Sequence, residues 1–417
     1  MAFTDHRSLH ADRALTLLAG IPYVYHCHHY NLFHDQTIDD ALGELDGARV
    51  RTNAARHAFR DLLSAVFKKE NAVTTSERLT LASELFRWMG QGKMQLELLS
   101  SSGRARSLTP HYGYAWREKY GSRIRRHDPV DAVAAGFAAA AMELIYDLAP
   151  DSVVAKEHRC IAMRDPQCEF ELTLGRGGPA LGTIDEAASL KASAEPQAGI
   201  DEDRIKAISS GLWDFMRAVQ GDERGLIAAF NVFVTTHLPT YYNETIYETV
   251  HHTESVSPAL VPAVEELFRE AGRACVFFTF GNVMLSPEWE ALVGPPSGIS
   301  TDVISFGTAI ARGLGFGHWL VHEYEPRKRF VLRCTSNYEV PFYLSRYGRS
   351  NKPRSYFIQG AAAAMMTLAE AVRWRERPQL TGDFYLEVFR SRANYRVEQT
   401  QCAMRGDAIS EYVVEAT

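Results

Sequence analysis

Glu157-His158-Arg159-Cys160-Ile161-Ala162-Met163-Arg164-Asp165-Pro166-Gln167-Cys168-Glu169-Phe170-Glu171-Leu172 reads as two short strands joined by a tight turn. Asp165-Pro166 supplies the turn, because proline presets φ and aspartate can bond its own backbone. Two cysteines and a glutamate ride on it with the spacing E-x2-C-x7-C. Soft thiolates and a carboxylate on a rigid hairpin suit zinc or another transition metal. Residue types alone leave a plainer reading open, in which the cysteines are small buried apolar side chains.

The same stretch resembles the closing hairpin of the 4-vinyl-reductase (4VR) domain, a small-molecule-binding module that also forms the sensor region of phenol- and xylene-responsive transcription activators. In that family a Glu is followed by Cys three residues on and by a second Cys after eight more. Its Gly-Asp-Pro turn stands here as Arg164-Asp165-Pro166. The resemblance implies that Glu157, Cys160 and Cys168 are three ligands of a structural zinc. The fourth family ligand, an upstream cysteine, is missing, because the matching helix reads Val133-Ala134-Ala135-Gly136.

Outward from the hairpin, the bulk numbers bound the rest. The chain has 417 residues, which favours two or three domains, and is 46% hydrophobic and 23% charged. A net charge of -6 gives no electrostatic case for nucleic acid or an anionic membrane. No apolar run is long enough to span a bilayer, and Met1-Ala2-Phe3-Thr4-Asp5-His6-Arg7 does not read as a signal peptide. Six scattered cysteines fit a reducing cytoplasm better than a disulfide framework.

Along the chain, Asp12 to Ala19 reads as a short helix and Ile21 to Asn31 as a strand. Thr37–Leu45, Arg51–Lys69 and a segment capped at Thr75-Ser76-Glu77 and running to Met89 read as helices. Lys93–Leu99 and Ala105–His111 read as a hairpin, and Asp128-Pro129 opens a helix to Leu148. The middle of that helix, Gly136 to Ala141, is small enough for a neighbour to pack closely. Residues 175–200 are small, polar and unpatterned, and read as a linker.

The pattern then repeats. Arg87-x-x-Gly90-x-Gly92 is echoed by Arg312-x-x-Gly315-x-Gly317, Lys119-Tyr120-Gly121 by Arg346-Tyr347-Gly348, and Tyr30-Asn31 by Tyr242-Asn243. Gly136-Phe-Ala-Ala-Ala-Ala-Met142 is echoed by Gly360-Ala-Ala-Ala-Ala-Met365, and Cys160-Ile-Ala-Met-Arg164 by Cys402-Ala-Met-Arg-Gly406. The echoes keep their order, which argues for a duplicated domain. Where the first copy has Glu157 and Cys168, the second has Gln399 and Ser410. Only the first hairpin is therefore expected to hold a metal. An insertion is expected near residues 376–396.

His26-Cys27-His28-His29 is the second concentration of ligand types. On a strand, His26 and His28 would share one face and Cys27 and His29 the other. Imidazoles suit metal binding or acid–base work, so His26, His28 and His29 are the catalytic candidates. Cys27 is a candidate fourth ligand for the hairpin site. Tyr30, Asn31 and Trp88 are candidate ligand contacts. The aromatic-rich second half, with Phe277, Phe278, Phe280, Trp319 and Tyr338, could line an apolar pocket or form core. Arg327-Lys328-Arg329 reads as a solvated hairpin turn and His251-His252 as a solvated helix end. There is no dinucleotide fingerprint, P-loop or nucleophile elbow.

The expected fold is α+β: two homologous domains, 1–174 and 201–417, joined by the linker 175–200. Each is expected to have helices packed on a small antiparallel sheet ending in a β-hairpin. The expected function is a stand-alone cytoplasmic protein binding a small apolar or aromatic molecule, with zinc or iron in the first domain. Nucleic acid and membrane are not expected partners, and a homo-oligomer is left open. The alternative is a metal-dependent enzyme of secondary metabolism that uses the His26–His29 cluster.

Overall fold

Local chemistry sets the helices of the first half. Asp46 accepts from the Arg49 amide, Asp131 accepts from the Ala134 amide, and Thr74 forms a capping box with Glu77. The computed structural model describes residues 3–41, 45–121, 123–178, 181, 184, 194–392 and 395–417. In order, the first half runs β1 (Arg7–His10), β2 (Leu15–Leu18), β3 (Ile21–Cys27), α1 (His28–Ala41), α2 (Gly47–Lys69), α3 (Thr75–Trp88), β4 (Met94–Leu98), β5 (Ser102–Ser107), α4 (His111–Tyr120), α5 (Ala132–Ile145), β6 (Val153–Arg159) and β7 (Cys168–Leu174). Strands β4, β5, β7 and β6 form an antiparallel sheet in that order.

The second half runs α6 (Glu202–Ala218), β8 (Ile227–Ala229), β9 (Val232–His237), α7 (Pro239–Val256), α8 (Val261–Cys275), α9 (Gly281–Met284), α10 (Pro287–Val293), α11 (Ser300–Gly313), β10 (Gly317–Glu325), β11 (Arg329–Asn337), α12 (Glu339–Tyr347), α13 (Tyr356–Ala371), α14 (Gly382–Glu387), β12 (Tyr395–Gln401) and β13 (Ser410–Ala416). Its sheet has the order β10-β11-β13-β12, matching β4-β5-β7-β6 element for element. Between α13 and β12 lie α14 and a π-helical turn, in the region where the repeat pattern places an insertion.

A third sheet, β1-β2-β3-β9-β8, is built by both halves. Strands β3 and β9 pair antiparallel, with Val24 opposite His237 and Tyr25 opposite Thr236. The backbone closes the exchange reciprocally. The Tyr25 amide donates to the Leu314 carbonyl (3.1 Å), and the Thr236 amide donates to the Met89 carbonyl (2.9 Å). Met89 and Leu314 follow the corresponding helices α3 and α11. This is the geometry of a self-complementary two-fold contact, written within one chain.

Inside each half, one helix pair packs at backbone range. A Cβ added at Gly136 would sit 2.4 Å from the Thr52 carbonyl of α2, and one at Gly360 would sit 1.8 Å from the Arg269 carbonyl of α8. The small-residue stripes of α5 and α13 are therefore used alike, each for a close helix–helix approach.

Four local readings need correction. Asp12–Ala19 is a 3-10 turn followed by β2, since Leu15 to Leu18 fills an inner strand of the shared sheet. The strand from Ile21 ends at Cys27, and a helix begins at His28, so His28 and His29 do not alternate on a strand. Helix α4 begins at His111, inside the expected hairpin arm. The turn at Asp165-Pro166 is longer than a tight turn: a 3-10 segment spans Ile161–Met163, and Arg164 takes φ 74° where the second copy has Gly406 at φ 103°. Of the linker 175–200, residues 179–180, 182–183 and 185–193 lie outside the described residues. Within its described part, the Gln197 amide donates to the Val321 carbonyl of β10.

Candidate functional site

The closing hairpin of the first half places Glu157 at the end of β6, Cys160 just beyond it and Cys168 at the start of β7. One ligand atom from each lies within 4.8 Å of the others, and all three residues are buried. The two sulfurs are 3.7 Å apart. Two thiolates held at about 2.3 Å by one tetrahedral zinc stand about 3.8 Å apart, so the pair is already at bridging distance for that ion.

Sequence reasoning missed the residue that orients the site. Asp131, 1% exposed, caps α5, and its own amide donates to Glu157 Oε2 at 2.8 Å. Glu157 Oε1 has no partner among the described residues. Burial raises the pKa of both carboxyls, and each acid is pushed further by negative neighbours: Glu157 by Cys160, Asp131 by Glu157. Hydrogen bonding from the Cys168 thiol lowers Cys160 to about 7, while burial raises Cys168. No Lys, Arg or His among the described residues forms an ion pair with Glu157 or Asp131. A buried group of this composition suits a cation.

The second half carries the same hydrogen-bond frame with the acids and one thiol replaced. The Cys160 amide donates to Asp165, and the Cys402 amide to Asp407. The Ile161 amide points at Cys168 Sγ (3.4 Å), and the Ala403 amide at Ser410 Oγ (3.3 Å). The Asp131 amide donates to Glu157, and the Ser355 amide to Gln399 (3.3 Å). Gln399 also exchanges hydrogen bonds with Ser355 Oγ and the Gln359 side chain, so the second copy is satisfied by neutral groups. Comparing Asp131 with Ser355, one residue before each matching helix, is the sequence signal that could have found Asp131.

Cys27 does not join this group. It is buried at the end of β3, facing Thr279 and Cys275, and belongs to no three-ligand cluster among the described residues. Of the neighbouring imidazoles, His28 and His29 lie against each other with ring centroids 4.0 Å apart, while His26 packs elsewhere. His26 stacks on Tyr30 (centroids 4.1 Å apart), with Nδ1 3.4 Å from Cys275 Sγ. His28 Nδ1 accepts from the Phe233 amide, and His29 stacks on Phe278 (4.4 Å). Burial lowers all three, His28 to about 4 and His29 to about 2.

The ligand-contact candidates separate too. Asn31 is a hydrogen-bond hub, bonded to His111, Thr235 and Tyr242. Trp88 lies against the Arg7 guanidinium (4.0 Å) and Phe3, apart from the histidines. Tyr30 instead packs in a buried cluster of rings drawn from both halves. His26 meets Phe316 at 4.9 Å, Tyr30 meets Phe357 at 5.5 Å, and Tyr338 meets Phe316 and Phe357 at 6.1 Å each. His26 Nε2, Tyr30 OH and Tyr338 OH are buried without a partner among the described residues.

No family model matches the chain, and no curated protein matches it. Among solved structures, it is similar to the phenol-responsive sensory domain of the transcription activator PoxR, crystallised with phenol. The identity is 12% and the TM-score 0.35, over 41% of this chain and 86% of that one. Among the described residues, no helix is long and apolar enough to cross a membrane.

Proposed function

We propose that the chain is a small-molecule-binding protein built from two copies of one domain, residues 1–174 and 201–417, with a structural zinc in the first. Glu157, Cys160 and Cys168 would hold the ion, leaving one coordination position for water or another exogenous group. The observation that carries the metal is the contrast between the hairpins: the same backbone frame surrounds acids and thiols in one and a neutral amide and hydroxyl in the other. Thiolate ligands favour zinc over the harder cations, and iron is the second choice. The ligand would sit at the buried ring cluster around His26, Tyr30 and Tyr338, where three polar ends have no partner among the described residues. The enzyme alternative is less favoured: His28 and His29 lie against each other, but His26 packs on Tyr30 and Cys275, and the row forms no three-ligand group among the described residues.

Elemental analysis of purified protein, with its visible spectrum, is the test. The expected result is about one zinc per chain and no colour, with the zinc lost in Cys160→Ala. Metal retained in Cys160→Ala but lost in His28→Ala would turn the reading toward the enzyme. For the ligand, phenol is a convenient first probe, added to the full chain in a thermal-shift titration. Stabilisation that disappears in Tyr30→Ala supports binding at the ring cluster.

A further inference from the structure

We infer that a cleft between the two halves, walled by α2, α7 and α12, binds a free α-amino acid with an apolar or aromatic side chain, its ammonium at the carboxylates of α7 and its carboxylate at Arg346. The cleft has a volume of about 380 Å³, within the range of about 300–1,000 Å³ that small-molecule sites occupy. Helix α2 lines it with Asn53 and His57, α7 with Glu244 and Glu248, and α12 with Phe342 and Arg346. It shares no residue with the ring cluster around His26, Tyr30 and Tyr338, so it is a second site.

The acidic wall is held in place and incompletely spent. Glu244 and Glu248 are one turn apart on α7, so their side chains share a face. His57 fixes one of them: its Nδ1 lies 2.6 Å from Glu244 Oε1 and its Nε2 lies 3.0 Å from Asp151. Glu244 is 8% exposed, and its other oxygen, Oε2, has no partner among the described residues. The Tyr347 hydroxyl donates to Glu248 Oε1 at 2.9 Å. An ammonium has three donors and can bond two neighbouring carboxylates at once.

The basic wall is unspent too. Arg346 Nε is buried without a hydrogen-bond partner among the described residues, and its guanidinium lies 5.9 Å from the Phe342 ring centroid. A guanidinium resting on a ring, with donors to spare, suits a carboxylate. Val50, Leu181 and Phe342 supply apolar surface in the same cleft. Charges of both signs that do not pair with each other favour a zwitterion over an amine or an acid alone.

The first half has no equivalent. The Tyr30-Asn31 and Tyr242-Asn243 echo puts Leu32 at the place of Glu244 and Gln36 at that of Glu248. Leu32 is buried, and Gln36 is bonded to Asp40 and Arg126. Lys119, at the place of Arg346, lies over the Tyr120 ring. The carboxylate pair belongs to the second copy alone, and the shared fold does not require it.

The test is calorimetry on the full chain with L-phenylalanine, phenethylamine and 3-phenylpropionate, which share a ring and differ in their charged groups. Phenylalanine should bind about tenfold or more tightly than either analogue. Arg346→Gln should weaken phenylalanine about tenfold or more and leave phenethylamine within about twofold. Glu244→Gln should weaken phenylalanine as much and leave 3-phenylpropionate within about twofold. Phenylalanine and phenethylamine binding alike, or a phenylalanine affinity unchanged in Arg346→Gln, would overturn the inference. Failure of both L-phenylalanine and L-leucine to bind wild-type protein would do the same. If Glu244→Gln does not fold, Arg346→Gln and the wild-type comparison decide. Stabilisation by phenol should persist in Arg346→Gln, which keeps the outcome here separate from that at the ring cluster.

Discussion

The two hairpins differ by a handful of atoms at matched positions, and this makes the metal assignment reversible on paper and at the bench. Installing Gln399→Glu and Ser410→Cys together, with Ser355→Asp as the orienting cap, should raise zinc from about one to about two per chain by elemental analysis. An unchanged stoichiometry would mean that the shared frame is not what selects the ion. Glu339 offers a second test at this scale. Its folded pKa of about 8 lies above the ordinary carboxyl value, so the unfolded chain ionises first as pH rises. The carboxyl therefore loses stability progressively from about pH 4.5 to about 8. Glu339→Gln should stabilise the ligand-free protein, by up to roughly 1.4 kcal/mol more for each pH unit across that window, in denaturant melts. At this scale the sequence was readable where ligands lie close along the chain. Glu157, Cys160 and Cys168 fall within twelve residues and meet in space. The ring cluster was not readable, because Tyr30, Phe316 and Phe357 come from three segments up to about 330 residues apart.

Among the elements, caps and glycines were legible and aromatic junctions were not. The Thr75-Ser76-Glu77 run announces α3, although its cap is Thr74, one residue earlier than expected, and the stripes at Gly136 and Gly360 mark α5 and α13. The start of α1 is hidden because His28-His29-Tyr30 has no cap signal. Its helix is set instead by burial, chiefly against α8 and α4 and also against β9, α7 and the π turn Val276–Phe280. Helix α4 is masked in the same way by His111-Tyr112-Gly113-Tyr114, a string with weak helical preference. The stripes make a firm expectation. Gly360→Ala would drive a methyl group into the Arg269 carbonyl at 1.8 Å, and α8 must move away. A loss of roughly 2–3 kcal/mol in unfolding free energy is expected from such overpacking. An exposed control, Gly382→Ala, meets nothing within 4 Å and should change stability little.

For the molecule as a whole, the two halves are tied by the shared sheet and by a small ionic knot at their edge. His57 of α2 bonds Glu244 of α7 through Nδ1 (2.6 Å) and Asp151 through Nε2 (3.0 Å). Burial pulls its pKa down, but the Glu244 hydrogen bond and the two carboxylate charges outweigh burial and raise it. A raised imidazole contributes fully below its unfolded value of about 6.5 and loses that contribution as pH climbs through the folded value. His57→Gln should therefore cost more stability at pH 5.5 than at pH 9, measured as the difference from wild type in urea. Equal losses at both values would show that the knot is packing and not charge.

The exchange of β3 and β9 has one more consequence. If the partner strand came from a second molecule, the sheet would assemble only as fast and as fully as concentration allowed, and dilution would melt it. Here the partner arrives on the same chain, at a local concentration on the order of millimolar. The same tether lifts a constraint: two identical subunits must spend every residue twice, whereas these halves could let one hairpin keep its thiols and the other give them up, and place Asp131 before one helix and Ser355 before its counterpart.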